Sequence, residues 1–199
     1  LLAVSVDEGI RGYRNEALGI AAENCALLGV EHHVLSFRGL FGLSLDELVH
    51  ENMKSGKEKR LSSCAYCGVL RRRALDLATK KLGADVLVLG HNLDDVVQTF
   101  LLNVVHGDVW RLAKEKPMTD EVHPKLVRRI KPFCEIPERE TALYAYVKGI
   151  RFQGSPCPYA SEALRNDVRL MLDRMEERHA GLKFTIFNSM ERVRSALDA

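Results

Sequence analysis

The chain has 199 residues, 46% hydrophobic and 28% charged, a balance that excludes collagenous, disordered and disulfide-scaffold classes and fits one domain or a domain with a small appendage. Lys+Arg 29 against Asp+Glu 27 leaves a formal charge of +2, so overall charge does not mark a nucleic-acid binder, and five cysteines, few and odd in number, point to a reducing compartment where clustered thiols hold metal or do redox work. No apolar run reaches membrane-spanning length and no signal peptide is visible, so a membrane role is not expected.

Leu1 to Asp7 is a short apolar run that breaks at Gly9, which predicts a buried strand ending in a functional loop. There is no initiator Met and the chain opens directly on this strand, so further residues are expected upstream. Leu18, Ala21, Ala22, Cys25 and Leu28 recur at helical spacing within Asn15 to Leu28, and Gly29 stops that helix. His32 to Phe37 is a second strand. Ser44-Leu-Asp-Glu47 fits a capping box that opens a short helix. Lys54 to Arg60 is a polar loop, and Gly68 to Leu82 is a helix ended by Gly83. Ala84 to Leu89 is the clearest strand, a continuous apolar run bounded by turn signals, as a parallel strand covered on both faces requires. Leu93 to Val105 is a helix, His106 to Val127 is less regular and basic in places, and Arg128 to Lys131 is a short edge strand or extended segment stopped by Pro132. Pro137 to Lys148 is a helix with Pro in its first turn. Gly154 to Pro158 is a loop, and Ser161 to Arg178 and Lys183 to Ala196 are helices.

Strands alternating with helices predict an α/β chain: a parallel, doubly wound sheet with helices on both faces, followed by a C-terminal helical segment. In such sheets ligands bind at the carboxyl ends of strands. Two loops therefore stand out, Asp7 to Gly12 and Gly90-His-Asn-Leu-Asp-Asp95. Gly90 lets the backbone approach a ligand, and Asp94 and Asp95 begin a helix, where the dipole favours carboxylates. One such Asp alone is most simply a helix cap. Two, after His91 and Asn92 at a strand end, point to a nucleotide or Mg²⁺ site.

Cys64-Ala-Tyr-Cys67 is a CxxC opening a helix, a place that favours thiolate, and Arg71, Arg72 and Arg73 follow. The motif fits half a zinc site, a redox pair or part of an iron–sulfur site. No second CxxC exists. Cys25, on an apolar helix face, and Cys134 read as packing residues. Cys64, Cys67 and Cys157 remain as candidate ligands, and three thiolates would leave one metal position open, which suits a cluster that binds an exogenous ligand such as sulfide.

VDEGIRGYR, SCAYCGVLRR, VLVLGHNLDD, RIKPF with PERE, and CPY before a basic helix occur in this order. Together they resemble the TtuA-type tRNA 2-thiolation enzymes, relatives of the cytosolic wobble-uridine thiolation proteins. The bacterial 2-thiocytidine enzymes share a weaker version. The resemblance covers most of the chain. It implies a Rossmann-like PP-loop fold of the adenine nucleotide alpha hydrolase type, with residues 1–135 as the catalytic domain and 136–199 as a helical part carrying the third cysteine and RNA-facing basic residues.

The activity implied is an ATP-dependent tRNA sulfurtransferase that adenylates a uridine C2 oxygen and replaces it with sulfur, using ATP, Mg²⁺ and a [4Fe-4S] cluster. By motif position Cys64, Cys67 and Cys157 would hold the cluster; Val6, Asp7, Gly90, Asp95 and Arg71 would bind nucleotide; Asp95, Arg71 and the three cysteines would form the catalytic set. The implied partners are tRNA and a sulfur donor, either a ubiquitin-like thiocarboxylate protein or sulfide. Family members are often homodimers and the setting is cytoplasmic. The family's SGGxDS phosphate loop and flanking zinc modules do not occur in these residues and are expected outside them.

Rival readings are a persulfide or disulfide thiolase, another PP-loop enzyme with structural zinc, and a non-enzymatic RNA-binding module. Lys54, Lys57, Lys59 and Arg60, then Arg111, Lys114 and Lys116, then Lys125, Arg128, Arg129 and Lys131 form the local basic clusters that phosphate contacts need. Tyr66 could stack on an extruded base or pack beneath a cluster.

Overall fold

Residues 1–54, 62–114, 116–119, 127–160 and 164–197 are described by a computed structural model. Their contacts divide into two units, Leu1–Ala84 with Ala145–Glu162, and Asp85–Tyr144 with Ala163–Ala199.

In the first unit β1 (Leu2–Asp7) pairs in parallel with β2 (Glu31–Ser36), from Leu2 opposite Glu31 to Asp7 opposite Ser36. A parallel pair needs a crossover, and α1 (Arg14–Leu27) supplies it, ending where Gly29 takes φ +62°. The second strand stops one residue short of the expected Phe37. The Ser36 hydroxyl accepts the Gly39 N–H at 3.0 Å and caps α2 (Phe37–Phe41), a short helix the alternation pattern did not signal. The expected capping box opens α3 (Leu45–Lys54): Ser44 N–H donates to Glu47 Oε2 at 2.9 Å and Glu47 N–H to Ser44 Oγ at 3.3 Å. α4 (Ser63–Lys81) starts earlier than the expected Gly68, because Ser62 Oγ caps it by accepting the Ala65 N–H at 3.2 Å. The CxxC therefore lies within the helix. Val6, Ile10, Phe37, Leu45 and Ala74 form the buried core, with Tyr66, Cys67, Cys157 and Tyr159 packed against it. The expected polar loop, with Lys57, Lys59 and Arg60, lies outside the described residues.

In the second unit β3 (Val86–Val88) pairs in parallel with β4 (Arg128–Ile130). The run Ala84 to Leu89 was expected to be covered on both faces, but Val86 and Val88 are exposed, so β3 buries one face only. An apolar run states what a strand is able to bury, not what is packed on it. β4 is one of the two strands of this sheet, and on its other side Met118 bridges Ile130 antiparallel and Lys131 N–H donates to the Pro117 carbonyl at 2.9 Å. α5 (Leu93–Val105) has the expected bounds, and α6 (Val109–Lys114) falls in the stretch expected to be irregular. α7 (Glu138–Val147) starts in this unit and ends among the residues of the first; α8 (Leu164–Arg178) and α9 (Leu182–Leu197) follow. Leu93, Val96, Val97 and Phe100, spaced i, i+3, i+4, i+7 on α5, pack with Val168 and Leu172 of α8 and Phe187 and Met190 of α9. Cys134 is buried in this core, as its packing reading requires. Among the described residues no helix is long and apolar enough to cross a membrane.

Candidate functional site

Cys64, in the first turn of α4, is exposed, whereas Cys67, one turn on, is half-buried against the apolar core of the first unit. Cys157 packs against that same core from its proline-flanked loop, although 157 − 67 = 90 positions separate it from Cys67. The loop is tied down at several points, among them Ser155 Oγ, which donates to Glu16 Oε2 at 3.4 Å. The Cys64 thiol lies 3.7 Å from the Tyr159 carbonyl, and the Tyr159 hydroxyl donates to Asp46 Oδ1 at 2.7 Å. Asp46 Oδ2 in turn accepts the Arg11 N–H at 3.0 Å, which brings the loop after β1 to the same place. All five cysteines are free thiols; Cys25 is half-buried on α1.

The expected thiolate character is corrected at Cys67. Burial pushes its thiol up, the Arg71 guanidinium opposes that, and the nearby Glu8, Cys157 and Cys64 add to the rise. A metal binding there would have to displace the thiol proton. Among the described residues no group of three His, Cys, Asp or Glu is gathered as a site for a single metal ion.

Glu8 is the residue that sequence reasoning missed. It is 1% exposed, and Arg71 Nε donates to its Oε1 at 2.8 Å. Arg14 Nε lies 2.7 Å from Oε2 but directs its N–H to the Val6 carbonyl, also at 2.7 Å. That contact is therefore Coulombic, and Oε2 has no hydrogen bond of its own. Arg71 Nη2 donates to the Cys67 sulfur at 3.4 Å. Burial works against the Arg71 charge, yet the Glu8 carboxylate beside it holds its pKa above the usual arginine value. The only signal in the sequence is a second acid after Asp7, and nothing there says which one is buried.

Val6 is buried with its carbonyl occupied by Arg14, and Asp7 Oδ1 accepts the Gly9 N–H at 2.8 Å. Gly9 is required: its φ is +73° and a Cβ would fall 2.6 Å from Ser44 Cβ. Tyr66 packs on the core and donates its hydroxyl to Asn52 Oδ1 at 3.2 Å. Arg72 and Arg73 are exposed.

In the second unit Asn92 is the N-cap of α5. Its Oδ1 accepts the Asp95 N–H at 3.0 Å while Asp95 Oδ2 accepts the Asn92 N–H at 3.3 Å. Asp95 Oδ1 is 3.9 Å from Arg165. Asp95 thus caps with one oxygen and keeps the other near solvent, on an exposed side chain. Asp94 is committed to the fold: it is buried, pairs with Lys183, and accepts the Glu138 N–H at 2.7 Å. Gly90 is exposed, with open space where a Cβ would stand. Asp94, Glu138 and Lys183, with Leu93, Pro137 and Phe184, line a cavity of about 470 Å³.

No family model matches the chain. It is 34% identical over 199 residues to tRNA 2-thiolation protein NcsA of Haloferax volcanii, across 97% of this chain and 60% of that one. It is 39% identical over 176 residues to cytoplasmic tRNA 2-thiolation protein 1 of Debaryomyces hansenii, across 88% of this chain and 45% of that one. Its fold matches the U34-tRNA thiolase NcsA of Methanococcus maripaludis, solved with its [4Fe-4S] cluster, at a TM-score of 0.81 and 37% identity, over 98% of this chain and 61% of that one. The chain is a homologue of the tRNA 2-thiolation proteins. It spans about half the length of the curated thiolation proteins it matches, and it shares with the thiolase an α/β architecture that here contains small parallel sheets.

Proposed function

We propose that this chain is the core of an ATP-dependent tRNA 2-thiolation enzyme, a sulfurtransferase whose uridine C2 oxygen attacks the α-phosphate of ATP, releasing pyrophosphate, before sulfur displaces AMP from C2. The observation that carries the reading is Cys157 packed on the same core as Cys67, with Cys64 bonded to the Tyr159 carbonyl, in a homologue of thiolation proteins. The donor set suits a [4Fe-4S] cluster: three free thiols, the other two cysteines being committed to α1 and to the core of the second unit. Cys64, Cys67 and Cys157 would hold the cluster, which when bound supplies an iron without a protein thiolate where sulfide can attach.

Arg71, already a cation beside the Cys67 sulfur, would offset phosphate charge as the base is adenylated. Asp95 would turn to Mg²⁺ the oxygen that does not cap α5, Oδ1, which here lies 3.9 Å from Arg165. Asp7 and Gly90 would supply nucleotide-facing backbone, with Val6, whose carbonyl is taken by Arg14, behind Asp7. On this reading residues 1–135 belong to a Rossmann-like PP-loop catalytic domain, and 136–199 carry the third cysteine. Arg111, Lys114, Lys116, Arg128, Arg129 and Lys131 would meet tRNA phosphates. A cytoplasmic setting, a homodimer, and a thiocarboxylate or sulfide donor complete the proposal.

Metal analysis of the anaerobically purified full-length protein tests it. About four irons per chain with equal acid-labile sulfide are expected. Zinc without iron would overturn it in favour of a structural metal.

A further inference from the structure

We infer that Glu8 is a positioning residue, whose buried carboxylate fixes the Arg71 guanidinium against the Cys67 sulfur; the inference takes the proposed cluster cysteines as its setting. Arg71 is a long side chain, 51% exposed, and a free arginine at such a place would sample many rotamers. It does not have that freedom. Its Nε donates at 2.8 Å to a carboxylate that is itself 1% exposed. Because the guanidinium is a rigid planar fork, fixing Nε also fixes Nη2, and Nη2 is the atom 3.4 Å from Cys67 Sγ.

The second arginine shows how the work is divided. Arg14 lies 2.7 Å from the other Glu8 oxygen but gives its N–H to the Val6 carbonyl. Arg14 therefore compensates the buried charge without competing for the orientation of Arg71. Glu8 is held in turn by its backbone, whose carbonyl accepts the Leu45 N–H at 2.7 Å at the start of α3. The line Leu45–Glu8–Arg71–Cys67 thus runs from a capped helix end to a sulfur. Groups that orient a donor onto a ligand atom tune a metal site through geometry, and losing one commonly costs 10–100-fold in activity or affinity.

Three variants test this: Glu8→Met, which removes the acceptor at similar length; Glu8→Gln, which keeps a neutral acceptor; and Arg71→Gln. The first readout needs no metal. In ¹⁵N-labelled metal-free protein, the Arg71 Nε–H signal, identified by its loss in Arg71→Gln, is expected to exchange slowly with water. Protection should fall in the order wild type, Glu8→Gln, Glu8→Met. The second readout is the midpoint potential of the iron-loaded full-length protein. Hydrogen bonds to cluster sulfurs raise a potential, so Glu8→Met should lower it in the Arg71 background and not in the Arg71→Gln background. A carboxylate acting by charge alone predicts the opposite sign, a rise in both backgrounds. That rise, or an Nε–H as protected in Glu8→Met as in wild type, overturns the inference. Should Glu8→Met not fold, Glu8→Gln carries both measurements. Absence of iron from wild type would sink the cluster reading and leave the exchange experiment to decide the role of Glu8.

Discussion

The Tyr159 hydroxyl donates to Asp46 Oδ1 at 2.7 Å, joining the loop that carries Cys157 to the first turn of α3, 113 residues earlier. The bond holds a proline-flanked loop with no regular structure of its own. Tyr159→Phe removes about 1 kcal/mol of hydrogen bonding and should lower the melting temperature by about 2–4 °C. Its larger effect should be local: reconstituted iron should be lost several-fold faster to a chelator, with initial iron content near wild type. Unchanged chelation kinetics would mean that the loop is held elsewhere.

The five cysteines should separate into two groups. Ser at Cys64, Cys67 or Cys157 should abolish cluster absorbance and thiolation, each by itself. Cys25→Ala should leave the iron in place and cost on the order of 1 kcal/mol of packing. Cys134→Ala, in the core of the second unit, should also retain iron but at a larger cost in urea stability. Iron loss in the Cys25 or Cys134 variants would redraw the ligand set.

Asp95→Asn should preserve the helix start, because Asn can still accept the Asn92 N–H. Thiolation by the full-length enzyme should fall tenfold or more with iron content intact, if Asp95 Oδ1 holds Mg²⁺. Wild-type turnover in Asp95→Asn would reduce the residue to a cap.

Lys183 is nearly enclosed between Asp94 and Asp173, 2.7 Å from the latter. Lys183→Ala strands a buried carboxylate and should cost about 3–5 kcal/mol in chemical denaturation, whereas Lys183→Ala combined with Asp94→Asn should recover part of that loss. Burial opposes the Lys183 charge, but hydrogen bonds to Asp173 and Asp94 outweigh it and raise the pKa above 10.5. The pair therefore contributes fully below pH 10.5, and its contribution disappears as pH rises through the folded value. Wild type should lose stability in that alkaline range more steeply than Lys183→Ala.

Glu47 behaves in the opposite sense. The Ser44 N–H, Arg38 and the Ser44 hydroxyl hold its carboxyl down at about 2, below the ordinary 4.5. Its contribution to the start of α3 is complete above pH 4.5 and is lost as pH falls through about 2. Carboxyl-carbon NMR titration should give a midpoint well below 4, and Glu47→Gln should flatten the difference in stability between pH 4.5 and pH 2.

Periodicity alone was enough for much of the secondary structure. The bounds of α5 were legible because Leu93, Val96, Val97 and Phe100 repeat with the helical turn, and the Ser44–Glu47 box because a cap is a contact between residues three apart. The contact between Cys67 and Arg71 was legible for a related reason, because the two are one helical turn apart. The extent of β3 coverage, the role of Asp94 and the whole of Glu8 were not. Each depends on a partner far along the chain: Lys183 for Asp94, 89 positions away, and Arg71 for Glu8, 63 positions away. Local sequence determines which backbone hydrogen bonds and apolar faces an element offers. Which charge loses its water, and which cation compensates it, is decided only when distant elements pack together.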